Sequence, residues 1–413
     1  MQRNRFFLFA TLFLFSFQNI VAGGFQVNLQ NAKHNAMGHA GTAWQSGAAD
    51  VFFNPGALSF TKKTFDFNVG VNAAMARIGY RDAVDGYYTA QNVPGVSTPL
   101  YFYGSYKKEE DSKLAFGLGV NNQFGSTLTW DDDWIGQFVI REISLSSFFI
   151  QPTVSYQLTD KIGVGLGASF VTGSLGLVRG IPVANQQGEY GEANISGSAT
   201  GYGFNFGVFY QLNEKISLGA SFRSGVNLSL TEGDATFAVA GALADSFPDN
   251  KVSSSLALPG VINFGIGYQV NEKLKVLVDI NYTQWSAYDS LILDFKNNTE
   301  LLEDTKLARN YKDAWAFRAG ASYDIDEKLV VRAGAFYDMT PVQQGFVTPD
   351  GPDANRLGLT LGASYKASDR LQIDASAMYV RTADREGNYD QVGFSGVYRI
   401  RAFIPTVGVS YSF

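Results

Sequence analysis

The chain has 413 residues, no cysteine, and a formal net charge of −6 with no basic run. The missing cysteines exclude disulfides and thiolate metal sites, and the dispersed acidic balance argues against a nucleic-acid partner. The counts of Gly 44, Tyr 21 and Phe 33, with 14% aromatic residues, suit the girdles and small-residue interior of a membrane β-barrel.

Met1 to Arg5 is basic, Phe6 to Phe17 is apolar, and Ile20-Val21-Ala22-Gly23 offers small residues for cleavage. This pattern predicts a secretory signal over residues 1–22, too short to span a bilayer as a helix. No later stretch has the roughly 18 apolar residues of a transmembrane helix.

Residues 23–63 are rich in Gly, Ala and Asn and do not alternate. If the first strand starts at the periplasmic side, this segment sits below the barrel or inside it. A barrel of about fourteen strands leaves a lumen that side chains alone do not fill, so a plug is expected. His34 and His39 lie here and are the chain's 2 histidines. They read as packing or hydrogen-bonding groups, and neither a metal nor a cofactor is expected.

From 64 to 413 the chain reads as alternating apolar runs joined by short polar turns such as Leu158-Thr159-Asp160-Lys161 and Val270-Asn271-Glu272-Lys273. About fourteen strands are predicted. They include spans at 64–80, 113–124, 161–178, 200–212, 215–231, 256–270 and 273–294. Short turns follow even strands and long loops follow odd ones, the parity of an outer-membrane barrel with both ends in the periplasm. A soluble β-sandwich explains neither this parity nor the export signal.

The third strand alternates from Leu114 to Val120 and then fails at Asn121-Asn122-Gln123, before Phe124-Gly125. Two readings stand: a bulge that opens a gap in the wall, or the polar end of the strand. The second long loop carries Trp130, Trp134, Ile135 and Phe138. The fourth contains Ala235 to Phe247, an apolar stretch suited to a short helix showing Phe237, Leu243 and Phe247. Such a surface marks a ligand or partner site, or else loops packing over the barrel mouth. Strand phase points Arg223, Arg318 and Arg332 inward, with Asp279 and Asp374. Lumenal arginines could hold a carboxylate head group, although Arg–Asp pairing is the commoner use.

Phe403 to Phe413 ends the chain with aromatic and apolar residues at odd positions and Thr406, Gly408, Ser410 and Ser412 between them. A final strand stopping on an aromatic is routine in outer-membrane barrels.

Two blocks carry a resemblance. The first is Gly24-Phe25-Gln26-Val27-Asn28, Gly38-His39-Ala40-Gly41 and Asp50-Val51-Phe52-Phe53-Asn54-Pro55-Gly56-Ala57. The second runs through Arg318-Ala319-Gly320, Tyr337-Asp338-Met339-Thr340-Pro341-Val342 and Thr348-Pro349-Asp350-Gly351-Pro352-Asp353-Ala354-Asn355-Arg356. Together they resemble the FadL family of outer-membrane channels for long-chain fatty acids and other hydrophobic compounds. Asn54-Pro55-Gly56-Ala57 departs from the family's commoner Asn-Pro-Ala-Gly. The resemblance implies an all-β, 14-stranded antiparallel transmembrane barrel over 64–413, with a hatch over 23–63 in its lumen. It assigns Phe25, Asn28, His34, Asn54 and Pro55 to the hatch, and favours a kink at Asn121 to Gly125. It also implies passive uptake, with cargo landing on a loop groove and leaving sideways at that kink.

The expected partners are a long-chain fatty acid or other hydrophobic small molecule, and outer-membrane lipid. A closed barrel can stand as a monomer. No enzyme motif competes. Aromatic hydrocarbons as cargo, a polar-solute porin and a surface adhesin remain the alternatives.

Overall fold

The structure is a computed structural model describing residues 24–84, 86–184 and 189–413. The expected signal, residues 1–22, and Gly23 lie outside the described residues. Fourteen antiparallel strands close into a barrel. In chain order they are β1 (Phe65–Asn72), β2 (Leu100–Lys107), β3 (Leu114–Asn121), β4 (Glu142–Gln157), β5 (Ile162–Ala184), β6 (Tyr190–Gln211) and β7 (Ile216–Arg223). Then come β8 (Val261–Gln269), β9 (Leu274–Thr283), β10 (Ala314–Asp324), β11 (Leu329–Asp338), β12 (Arg356–Lys366), β13 (Leu371–Thr382) and β14 (Phe394–Ser412). Each pairs with its chain neighbour. β14 closes the ring by pairing Ser412 with Asp66 of β1, and Phe65 and Phe413 exchange backbone hydrogen bonds of 2.8 and 3.0 Å. Closure pairs the edges that an open sheet would leave exposed.

The period-2 pattern sorts side chains as expected. On β10, Trp315 and Phe317 are exposed while Arg318 is buried; on β14, Val407, Val409, Tyr411 and Phe413 are exposed around buried Thr406 and Gly408. Tyr202 at 76% and Leu361 at 66% exposure show how apolar the outer face is. Lipid, and not water, suits that face. Among the described residues no helix is long and apolar enough to cross a membrane.

Several strands depart from their expected spans for local reasons. The run predicted at 64–80 is cut at Ala73–Ala74, opposite Pro405. Ala73 N–H donates to the Pro405 carbonyl at 2.9 Å, but proline has no N–H to return. The chain then resumes as Met75–Asp82 against the rest of β14. β5 and β6 run past residues 178 and 200 because their small-residue flanks keep period two, with Ala193, Ile195 and Ala199 buried on one face. The spans predicted at 215–231, 256–270 and 273–294 break at Gly225, at Pro259-Gly260 and at the turn Trp285–Ala287. Beyond those breaks Val226–Ala238 pairs with Asn250–Leu258, which pairs with Ser290–Phe295.

Ahead of the barrel come two short helices, α1 (Ala32–Asn35) and α2 (Asp50–Phe53). Asn31 caps α1, its side-chain oxygen accepting from Lys33 N–H at 2.9 Å and its amide donating to Asn68 at 2.6 Å. This stretch bonds to strands around the whole ring. Asp279 of β9 accepts from Gly41 N–H, Thr42 N–H and the Thr42 hydroxyl at 2.8–2.9 Å. Gly38 N–H donates to Thr360 of β12 at 2.9 Å, and the Asn54 amide donates to the Val208 carbonyl of β6 at 2.9 Å. The fit requires missing side chains: a Cβ on Gly219 of β7 would collide with the Thr42 carbonyl.

Candidate functional site

The ladder of β3 stops at Asn121 and resumes at Gly125–Thr129. Asn121 pairs with Phe149 and Gly125 with Ser146, so Asn122, Gln123 and Phe124 oppose only Phe148 and Ser147. This is a β-bulge, which answers the question the three amides raised. The Asn122 side chain bridges the gap, accepting from Leu100 N–H at 2.9 Å and donating to the Ser147 carbonyl at 2.7 Å. Asn121 is buried with both amide atoms unbonded, as is the amide nitrogen of Gln123.

The N-terminal segment occupies the edge this bulge frees. Val27 N–H donates to the Gln123 carbonyl at 2.8 Å, Gly125 N–H donates to the Phe25 carbonyl at 3.0 Å, and Gln26 bridges Phe124. Phe25 is set edge-on to Trp285 at 4.9 Å, Tyr288 at 5.4 Å and Phe124 at 6.0 Å. Gly24 is held on its other side, its N–H donating to Asp353 at 2.7 Å and its carbonyl accepting from Arg356 at 2.5 Å.

Against this segment lies a cavity of about 630 Å³. Its wall takes residues from Gly24 to Leu29, from Val96 to Pro99 and from Asn122 to Leu128, with Phe336, Met378, Val380 and Ile404 from the barrel. The lining is predominantly apolar, and the size is ordinary for a small-molecule pocket. Its charged residues come as pairs. Arg309 meets Asp350 through both terminal nitrogens, at 2.6 and 3.3 Å, and donates to Thr348 at 3.0 Å. Burial opposes the Arg309 charge, but Asp350 overrides it and holds the guanidinium charged.

The predicted residues fall into separate groups. Phe25 and Asn28 line the cavity, as do Asn122, Phe124 and Gly125. His34 stacks on Phe53 at 3.6 Å and contacts Asn31 at 3.0 Å, and Asn54 and Pro55 pack on the wall at Gly207. The three predicted arginines do not line this cavity. Arg223 donates to the Phe52 carbonyl at 2.9 Å and lies over its ring; Arg318 pairs with Asp338 at 3.0 Å; Arg332 donates to Ser364. Phe237, Leu243 and Phe247 also lie off it. Phe237 sits on a strand instead of the expected helix, only Gly241–Ser246 forms a 3₁₀ turn, and the Phe237 and Phe247 rings meet at 5.9 Å. Trp130 and Trp134 are buried and stacked at 4.4 Å. The residues missed were Arg309, Asp350, Asp353 and Arg356. Arg309 lies in a loop with no periodicity, and the other three fell inside the second block without a role.

A closed barrel with an apolar outer face and an apolar cavity defines an outer-membrane β-barrel protein. Residues 14–413 match the family described as "Outer membrane protein transport protein (OMPP1/FadL/TodX)", and the chain belongs to that family. It is 26% identical to outer membrane protein P1 of Haemophilus influenzae, over 91% of this chain and 89% of that one. It is 22% identical to the long-chain fatty acid transport protein of Escherichia coli O6:H1, over 87% of each. The fold is that of a Pseudomonas aeruginosa FadL homologue (TM-score 0.83, 19% identity, 95% of this chain and 100% of that one). It is also that of the toluene transporter TodX of P. putida (TM-score 0.76, 20% identity, 93% and 98%).

Proposed function

We propose that this barrel passes long-chain fatty acids or similar hydrophobic molecules across the outer membrane, without an energy source. Residues 23–63 act as a hatch in the lumen, cargo rests in the 630 Å³ cavity, and it leaves sideways at the β3 bulge. The observation that carries this reading is that one apolar cavity touches both the N-terminal segment and the interrupted wall. The Phe237, Leu243 and Phe247 cluster serves as the landing surface for cargo from outside.

The test locks the N-terminal segment to the bulge. The hydrogen bonds flanking Gln26 and Phe124 make them a non-hydrogen-bonded antiparallel pair, with Cα atoms near 4.5 Å, within disulfide range. In this cysteine-free chain, Gln26→Cys with Phe124→Cys should abolish uptake of labelled oleate when oxidised and restore it on reduction. Unchanged uptake by the oxidised protein rules out this gate.

A further inference from the structure

The charges around the cavity balance. Its lining holds three carboxylates, Asp338, Asp350 and Asp353, and two guanidiniums, Arg309 and Arg356. Asp350 meets Arg309 at 2.6 Å, Asp353 meets Arg356 at 2.9 Å, and Asp338 meets Arg318 at 3.0 Å from behind the wall. No lysine lines it among the described residues. An incoming carboxylate therefore finds each guanidinium already engaged by an aspartate. To bind Arg309 it must displace Asp350, whose carboxylate would be left buried without a partner, at a cost the new pair does not recover. At Arg356 both Asp353 and the Gly24 carbonyl accept from one terminal nitrogen, and an anion brought to the others would sit beside the Asp353 carboxylate. Away from these pairs the wall carries no cation for an anion, while neutral hydroxyls such as those of Ser126 and Thr127 suit an uncharged end.

We propose that the cavity selects hydrophobic molecules with an uncharged polar end, such as long-chain alcohols and esters, over those carrying an anionic head. This rests on the reading of the cavity as the cargo site. It deepens that reading by placing ionised fatty acids among the weaker ligands. Asp350 is the residue that sets the preference, because it neutralises the most buried cation of the lining.

The test uses the full barrel in lipid nanodiscs and displacement of the neutral fluorophore N-phenyl-1-naphthylamine. The competitors are matched in chain length: 1-hexadecanol, methyl palmitate, and hexadecanesulfonate, whose charge no protonation can remove. The expected result is half-displacement by the alcohol and ester at about tenfold lower concentration than by the sulfonate. Asp350→Asn frees Arg309 and should shrink or reverse that ratio; the double variant Asp350→Asn with Arg309→Gln should restore the neutral preference. The wild-type ratio decides the matter even if a variant fails to fold. Equal displacement by alcohol and sulfonate overturns charge selection while leaving the cargo site standing. An intact barrel from which none of the three displaces the fluorophore overturns the cargo site, and the selectivity with it.

Discussion

The N-terminal segment and the cavity beside it are built from opposite chemistry. Where residues 30–59 meet the barrel, directional polar contacts hold them: Asn31 on Asn68, Gly41 and Thr42 on Asp279, Asn54 on Val208. Where residues 24–29 meet it, Phe25, Val27 and Leu29 face an unfilled apolar space. A buried polar contact favours one geometry, since shifting it leaves further donors unbonded. An apolar wall tolerates many occupants, because its attraction is non-directional. The same short segment thus combines a fixed anchor with an adaptable contact surface, and the anchor can be broken without touching the surface.

The largest effect should come from Gly219→Val. Its side chain takes the space of the Thr42 carbonyl, so the segment and β7 cannot both stay in place. If residues 23–63 close the lumen, the variant should conduct ions in planar bilayers where the wild type is closed, and trypsin should reach Lys33. Gly95→Val, with nothing within 4 Å of its added Cβ, should change neither. A smaller loss is expected from Asp279→Ala, which strands three buried donors at about 1 kcal/mol or more each. Trp44 fluorescence during urea titration should then report release of the segment at lower denaturant than in the wild type, ahead of barrel unfolding.

How much of this contrast was legible in the sequence follows from periodicity. The wall was readable because each strand has one lipid face and one inner face, so Trp315 and Phe317 are out and Arg318 is in. At β3 the failed alternation after Val120 was visible, but it fitted a bulge and a polar strand end equally, because amides suit either. The cavity was not readable, because Arg309 and Asp350 come from loops separated by 41 residues and meet only through tertiary packing. Strand phase pointed instead to Arg223, Arg318 and Arg332, which do face inward. Phase gives direction and not height along the barrel axis, and at their level the space is taken by Phe52, Asp338 and Ser364.

Acid acts on the polar anchor through groups of opposite sense. Burial, reinforced by Lys33, pushes the His34 imidazole well below its ordinary value; burial, reinforced by Arg318, does the same to His39. Each stays neutral when packed and takes up a proton when released, so packing weakens as pH falls below about 6.5, by about 1.4 kcal/mol per unit per histidine. Asp50 works in the opposite sense. Burial raises its pKa to about 7, against hydrogen bonds from Ser46 and Gly47. It keeps its proton when packed and loses it when released between about 4 and 7, so it favours packing at the acid end. On acidification from 6.5 towards 4 the two histidines therefore weaken packing while Asp50 strengthens it. Asp50→Asn should make packing about 1.4 kcal/mol per unit more sensitive to acid in the Trp44 release assay; an unchanged slope would mean Asp50 is ionised in the packed segment.

The smallest effect tests the loop surface, where neither anchor nor cavity is touched. Phe237 and Phe247 are half-buried, pack on each other, and lie off the cavity lining. If they only catch cargo, Phe237→Asp with Phe247→Asp should slow uptake a few-fold at limiting cargo and leave saturated uptake and fluorophore affinity unchanged, since a capture site alters encounter and not the pathway beyond it. A drop in saturated uptake by an intact barrel would instead place this cluster on the path itself. Unchanged uptake at every concentration would make the pair simple packing beneath the loops, as the buried stack of Trp130 on Trp134 already is.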